Sequence, residues 1–346
     1  MLRTRHFCNT LIVFLCLGVF ASGCSKPEPS ITRRSQFLMG TLVEISVFHP
    51  DQEAAQDAIQ NAFNEIQRLE NLLSTHKPDS EIVRINQSSG LQPIAVSPEV
   101  FAVIQRAIFW AEKTQGALDI SLEPVQELWN FEADRPSLPD TLSLQQKLSK
   151  VDYSKIQLKN RTVFLPEKGM ELNLGAIAKG YAVDRAMTVL QQINIHHALI
   201  NAGGDLKSIG KRPDQTAWKI GLQHPRKPES ILASFSLSGK AVATSGDYQK
   251  YFNHDGTRYH HILNPKTGYP ATVSMSATVI TENVMDADAL STALFVMGPK
   301  KGLALIDSLE NTEALFVDPN LLTYSSQGMQ ALQGFTLNRL KEDLSH

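Results

Sequence analysis

Residues 41–74 read TLVEISVFHPDQEAAQDAIQNAFNEIQRLENLLS. Residues 41–48 alternate, with Val43, Ile45 and Val47 on one face, which predicts a strand buried on one side. From residue 51 to 74 the period becomes helical: Ile59, Phe63, Ile66, Leu69 and Leu73 form one stripe. A strand that runs straight into a long amphipathic helix sets the style of the rest. Ser97 and Pro98 supply an N-cap and a first helical position, followed at helical spacing by Val100, Val103, Ile104, Ala107, Ile108 and Ala111. A third helix is expected from near Ala176, with Val183, Ala186, Met187, Leu190 and Ile193 as its buried face. Two more are expected over residues 285–297 and 299–309. Strands are expected at 198–201, 218–222, 231–237, 276–281 and 314–317, and residues 129–142, with prolines and acids, read as a surface excursion. Helices and strands are interspersed without a regular βαβ beat. The class is therefore α+β, a single compact catalytic unit, with division into two lobes as the alternative.

The chain has 346 residues, 42% hydrophobic and 20% charged, enough for a sizeable core. Its formal net charge is -2, and no Lys/Arg run tracks a phosphate backbone, so nothing points to a nucleic-acid partner.

The first residues carry an address. Arg3, Arg5 and His6 are followed by an apolar run over residues 11–20 and then by Ala21-Ser22-Gly23-Cys24. The run is too short to span a bilayer. Its small-small-Cys ending resembles the bacterial lipobox, in which the Cys is lipidated and becomes the new N-terminus. We therefore expect a lipoprotein signal peptide over 1–23, a lipid-anchored tether over 24–35 and a catalytic domain over 36–340. An ordinary secretory signal with an incidental Cys is the alternative. The polar, proline-bearing stretch 25–34 would span about 30 Å if extended. The protein is then exported and anchored on the periplasmic side, the inner membrane being favoured. Cys8, Cys16 and Cys24 all lie in this segment, so the mature domain has neither a disulfide nor a Cys metal site.

No G-x-G-x-x-G, Walker A, H-E-x-x-H or G-x-S-x-G motif is present. Four local patterns carry possible chemistry, and each has a plainer reading. Residues 173–184, NLGAIAKGYAVD, form a glycine-bearing loop feeding a helix with Lys179 nearby, a place for an anion or merely a tight turn. Asn201-Ala-Gly-Gly-Asp205 follows an apolar strand, and on its own an ordinary turn is the better reading. His196 and His197, neighbours just before that strand and so pointing to opposite sides, cannot both ligate one metal and read as structural. Asp288 and Thr292 fall at i and i+4 on one helix face and offer hard oxygens suited to Mg²⁺, unless Asp286 simply caps a solvated acidic turn. Tyr259-His-His-Ile-Leu-Asn-Pro-Lys-Thr-Gly-Tyr-Pro270 presents two adjacent histidines: one can serve as a general base while the other points away, or a His is only a partly buried hydrogen-bonding group.

Taken in order, Phe37–Thr41, Thr75–Glu81, Gly116–Ser121, Leu174–Asp184, Asn201–Asp205, Thr244–Tyr248, His261–Pro270 and Asp288–Thr292 resemble the ApbE family of FAD:protein FMN transferases. The resemblance runs from about Phe37 to Met297. It implies Mg²⁺-dependent cleavage of FAD, attachment of FMN to a Thr or Ser of a target redox protein subunit, and release of AMP. It places metal ligands at Asp288, Thr292 and the carbonyl of Ala176. Flavin and nucleotide contacts fall on Met39, His76, Ala117, Leu118, Asp119, Asn173, Lys179 and Ile262, and the base on His261. Two positions depart from the family pattern: Asn173 where Asp is common, and His76 where an aromatic, often Tyr, is usual. Other readings of the same site are a Mg²⁺-dependent FAD pyrophosphatase, and a lipoprotein that only stores FAD; free FMN without an acceptor would mark the first, and intact FAD with no product the second.

Overall fold

In the computed structural model, which describes residues 30–338 apart from 132, 134 and 135, the alternation at 41–48 becomes the strand Thr41–His49. It is one of eight strands that lie side by side in chain order: Ser30–Leu38, Thr41–His49, Ala198–Ala202, Asp205–Ile209, Ala241–Gly246, Ser276–Thr281, Glu313–Val317 and Thr323–Ser325. Every neighbouring pair is antiparallel.

Among the described residues seven α-helices accompany the sheet: α1 (Gln52–Leu73), α2 (Glu81–Gln87), α3 (Pro98–Lys113), α4 (Glu123–Trp129), α5 (Thr141–Leu148), α6 (Ala178–Gln192) and α7 (Val284–Ile306). Period-two alternation decides which layer each strand residue serves. Ala243, Val279 and Phe316 face the core shared with α1, α3, α6 and α7. Their neighbours Val242, Ile280 and Leu315 face the opposite core, closed by Trp218, Ile220, Leu222 and Phe235 of a second sheet. That sheet pairs Trp218–His224, Lys227–Leu237 and Thr336–Leu337. The result is three layers, helices on sheet on a smaller sheet, in the α+β class. Each fully buried Leu, Ile or Phe in these cores contributes about 1.5–3 kcal/mol.

Four sequence expectations are corrected. The stretch read as tether overlaps the strand Ser30–Leu38, which is paired residue for residue with Thr41–His49; a polar edge strand needs little apolar alternation, so composition concealed it. Cys24 and residues 1–29 lie outside the described residues. Residues 129–142 are only in part an excursion: Trp129 is fully buried, donates its indole N–H to the Gly268 carbonyl (2.7 Å) and stacks on Phe131 and Tyr259. Thr141 and Leu142 already belong to α5, capped by Asp140. Ile193 is 42% exposed because the helix stops at Gln192 and the residue lies past the last buried turn. The helix cap is Asn283, whose side chain accepts the Asp286 N–H, so Asp286 is not the cap.

The two helices expected at 285–297 and 299–309 form one kinked element, α7, bent where Gly298 takes φ 76° and Pro299 follows. By length and by its mean hydropathy of 1.2, α7 matches a membrane span, yet half of that window is buried in the protein core.

α6 and α7 meet so closely that a Cβ on Gly180 would lie 2.3 Å from the Val284 carbonyl oxygen. Gly180→Val therefore destabilises the fold by about 3 kcal/mol. A thermal melt shows it as a Tm several degrees lower, and an unchanged Tm would refute the tight approach.

Candidate active site

The candidate residues converge where the loop into α6, the turn after Ala198–Ala202 and the first turns of α7 meet. Lys179 is the hub. Its Nζ lies 3.0 Å from Asp205 Oδ2, 3.5 Å from Asp288 Oδ1 and 3.3 Å from the Gly175 carbonyl. Burial alone would lower the Lys179 pKa, but the charges of Asp205 and Asp288 outweigh it and hold the ammonium well above its ordinary value. Burial pushes both carboxyls up; at Asp205 the Asp288 charge adds to this, while at both the Lys179 ammonium opposes it. Asp205 Oδ2 is buried and ion-paired but makes no well-formed hydrogen bond, so it retains acceptor capacity.

Asp288 also organises the backbone. Its Oδ2 accepts the Gly180 N–H (3.0 Å). That amide is one of the first-turn donors of α6 with no carbonyl of the helix to reach, so Asp288 caps it, just after the loop that carries the Ala176 carbonyl. Thr292, one turn after Asp288, has its hydroxyl 3.1 Å from Ser245 Oγ, which in turn meets Ser291 Oγ at 2.9 Å. Among the described residues no three His, Cys, Asp or Glu side chains form a ready metal cage. The donor set is instead carboxylate, hydroxyl and carbonyl: Asp288, Thr292 and Ala176, with Asp205 alongside. Such all-oxygen donors fit Mg²⁺, which keeps several waters and binds through one or two carboxylates.

The start of α7 is clamped from two sides. Asp286 receives both the Arg106 guanidinium (2.6 and 2.7 Å) and the Trp110 indole (2.6 Å). Although burial raises its pKa, these donors prevail and keep it below the usual carboxylate range. Asp184 accepts the Met285 N–H (2.9 Å) and pairs with Lys207. The bland reading of a solvated acidic turn does not hold for Asp286.

The two histidines divide as their adjacency requires. Buried His260 meets the Ala271 carbonyl through Nε2 (2.9 Å), accepts the Ile262 N–H on Nδ1 and packs edge-on to Phe295. His261, half-buried, places Nδ1 3.2 Å from the Lys250 carbonyl. A carbonyl only accepts, so Nδ1 carries the proton and Nε2 keeps its lone pair. Burial, helped by the Lys250 and Lys179 charges, lowers the His261 pKa to about 4, with the hydrogen bond to Lys250 opposing. The ring is a neutral base at physiological pH.

The remaining candidates separate by accessibility. Met39 sits in a turn at φ 54°, with its N–H on Glu70 (2.9 Å). His76 is exposed, its ring open to stacking, and Ala117 is half-buried. Asp119 is engaged: it accepts from the Ser121 N–H and hydroxyl and from the Tyr153 N–H, yet burial raises its pKa. With Gln115, Gly116, Tyr153, Pro265 and Lys266 it lines a cavity of about 400 Å³, room for a heterocycle and its sugar. Leu118 and Ile262 are core residues, 2% and 5% exposed, so only their backbones are available to a ligand. Asn173 holds Gly175 N–H on Oδ1 and Glu123 on Nδ2, both at 2.6 Å. Sequence reasoning omitted Asp205 and Glu123. The Gly-Gly-Asp turn was a signal for the first; nothing local marked the second. His197, accepting from Lys211 N (2.8 Å) and edge-on to Phe48, is structural.

The ApbE family profile matches residues 39–316. A Treponema pallidum protein named FAD:protein FMN transferase is 32% identical over 342 residues, covering 93% of each chain. One from Klebsiella pneumoniae is 36% identical over 290 residues, covering 83% of this chain and 89% of its own. Among solved structures, the ApbE protein of Thermotoga maritima superposes with a TM-score of 0.81 at 30% identity, covering 88% of this chain and 99% of that one. The flavin transferase ApbE of Vibrio cholerae gives 0.80 at 28%, with the same coverage. With a matched span that takes in most of the sheet, the Lys179 hub, His261 and the Asp288–Thr292 helix, this chain belongs to the ApbE family.

Proposed function

We propose that this protein is a Mg²⁺-dependent FAD:protein FMN transferase that esterifies FMN to a Thr or Ser hydroxyl of a target protein and releases AMP. The observation that carries the reading is one cluster: a buried Lys179 between two carboxylates, Thr292 on the same face as Asp288, and His261 close enough to feel the Lys179 charge. Asp288, Thr292 and the Ala176 carbonyl would hold the metal, which when bound neutralises charge on the pyrophosphate. Lys179 offers a fixed cation to the same phosphates. His261 Nε2 takes the proton from the acceptor hydroxyl; the acceptor oxygen bonds the FMN phosphorus as the bond to the AMP oxygen breaks. Among the described residues no Asp or Glu pairs with His261 to make a Ser-His-Asp triad, in keeping with a nucleophile supplied by the target. Exposed His76 and the cavity at Asp119 and Tyr153 receive the rings and sugar.

The lipid anchor at Cys24 belongs to the same proposal, because tethering raises the local concentration of enzyme beside membrane-bound redox acceptors. A Cys24→Ser form that flavinylates its target equally well in cells would remove that role.

The test mixes the mature domain, FAD, Mg²⁺ and a periplasmic redox subunit, and reads intact mass. The expected result is one esterified FMN on the acceptor, abolished by EDTA. FMN and AMP in solution over an unmodified acceptor would replace the transferase by a pyrophosphatase; intact FAD would leave a storage protein.

A further inference from the structure

Glu123 is a carboxylate in an unusual position. It sits in the first turn of α4, is 7% exposed, and among the described residues no Lys or Arg pairs with it. A buried carboxylate without a cation costs several kcal/mol unless hydrogen bonds compensate. The Leu122–Glu171 bridge lays the start of α4 against the loop that leads to Lys179. There Asn173 Nδ2 donates to Glu123 Oε2 at 2.6 Å. The amide is fixed at both ends, because Asn173 Oδ1 is already taken by Gly175 N–H. Burial raises the Glu123 pKa, while Asn173, His76 and Thr75 act the other way. Thr75 and His76 are therefore near enough to act on the same carboxylate, and they come from the segment that offers the exposed ring. A carboxylate has about four acceptor positions, and Asn173 occupies one of them at 2.6 Å.

We propose that Glu123 is a substrate-recognition residue: with Asn173 it forms one carboxylate–amide unit whose free acceptor position takes an N–H or O–H donor of bound FAD. This rests on the flavin-transferase reading of the site. The carboxylate is supplied from α4, with the Asn173 amide turned to bridge it to the loop. The unit is charged, buried and rigid, so it rewards a neutral donor placed beside it and rejects a phosphate.

The test measures FAD binding by flavin fluorescence without metal and without acceptor. Glu123→Gln keeps the shape and can still accept from Asn173, but loses the charge; it is expected to weaken FAD about tenfold and raise KM with kcat little changed. Asn173→Asp alone sets two carboxylates face to face and is expected to bind worse than wild type. The reciprocal double variant, Glu123→Gln with Asn173→Asp, restores one charge and one amide and returns affinity to within about twofold. Titrations with ADP and with FMN show which half of FAD carries the donor, and a loss in either supports the unit. Wild-type affinity in Glu123→Gln, or a double variant no better than it, overturns the proposal while leaving the transferase reading intact. Failure of wild type to bind FAD brings down both.

Discussion

Asp288→Ala cuts FMN transfer by roughly 10³-fold, the scale of the several kcal/mol that a correctly held cation contributes, and it flattens the response to Mg²⁺. Two roles end together. The carboxylate is one of the oxygen donors of the proposed metal site, and it caps the buried Gly180 N–H in the first turn of α6. Removing it leaves that buried amide uncapped at the same time as the cation loses a donor. Asp288→Asn separates the roles, since an amide oxygen can still accept from Gly180 but brings no charge. The expected order is wild type, then Asn, then Ala, in both activity and the Mg²⁺ concentration at half effect. An Ala variant with the wild-type Mg²⁺ titration would sink the metal assignment.

His261→Ala leaves FAD bound and lowers transfer by about 10²–10⁴, the range for loss of a positioned general base. The pH dependence adds a sharper prediction. Burial lowers the pKa of this ring to about 4, so its charged form is disfavoured and Nε2 stays unprotonated well below the ordinary histidine range. The acidic limb of kcat/KM, which reports the free enzyme, is therefore expected near pH 4 and not near 6.5. A limb at 6.5 that vanishes in His261→Ala would show that the ring is more solvated than its packing implies. Full activity in the variant would remove His261 from the chemistry.

Much of the architecture was legible because it rests on local periodicity. The stripe Ile59–Leu73 and the alternation of Val43, Ile45 and Val47 lead directly to α1 and its neighbouring strand. What could not be read depends on distant partners. Ser30–Leu38 is a strand because Thr41–His49 supplies its hydrogen bonds, not because its own residues demand it. Trp129 is buried because Gly268 and Tyr259, far along the chain, close over it. The site shows the same division. Asp288 and Thr292 share a helix face by spacing alone, and the neighbouring histidines had to diverge. Asp205 and Glu123 gain their roles from residues 26 and 50 positions away, Lys179 and Asn173, which no window of sequence displays.

The kink in α7 matters before the protein is folded. As an unfolded chain passing through a translocon, Val284–Ile306 would be judged by length and hydropathy alone, and by those it qualifies as a stop-transfer segment. Asp288 on one side and Lys300 on the other confine the uncharged stretch to well under the roughly 20 residues a bilayer requires. The Gly298-Pro299 break interrupts even that as a helix. For the exported enzyme proposed above, Asp288 would thus also keep this apolar helix from being left behind in the membrane.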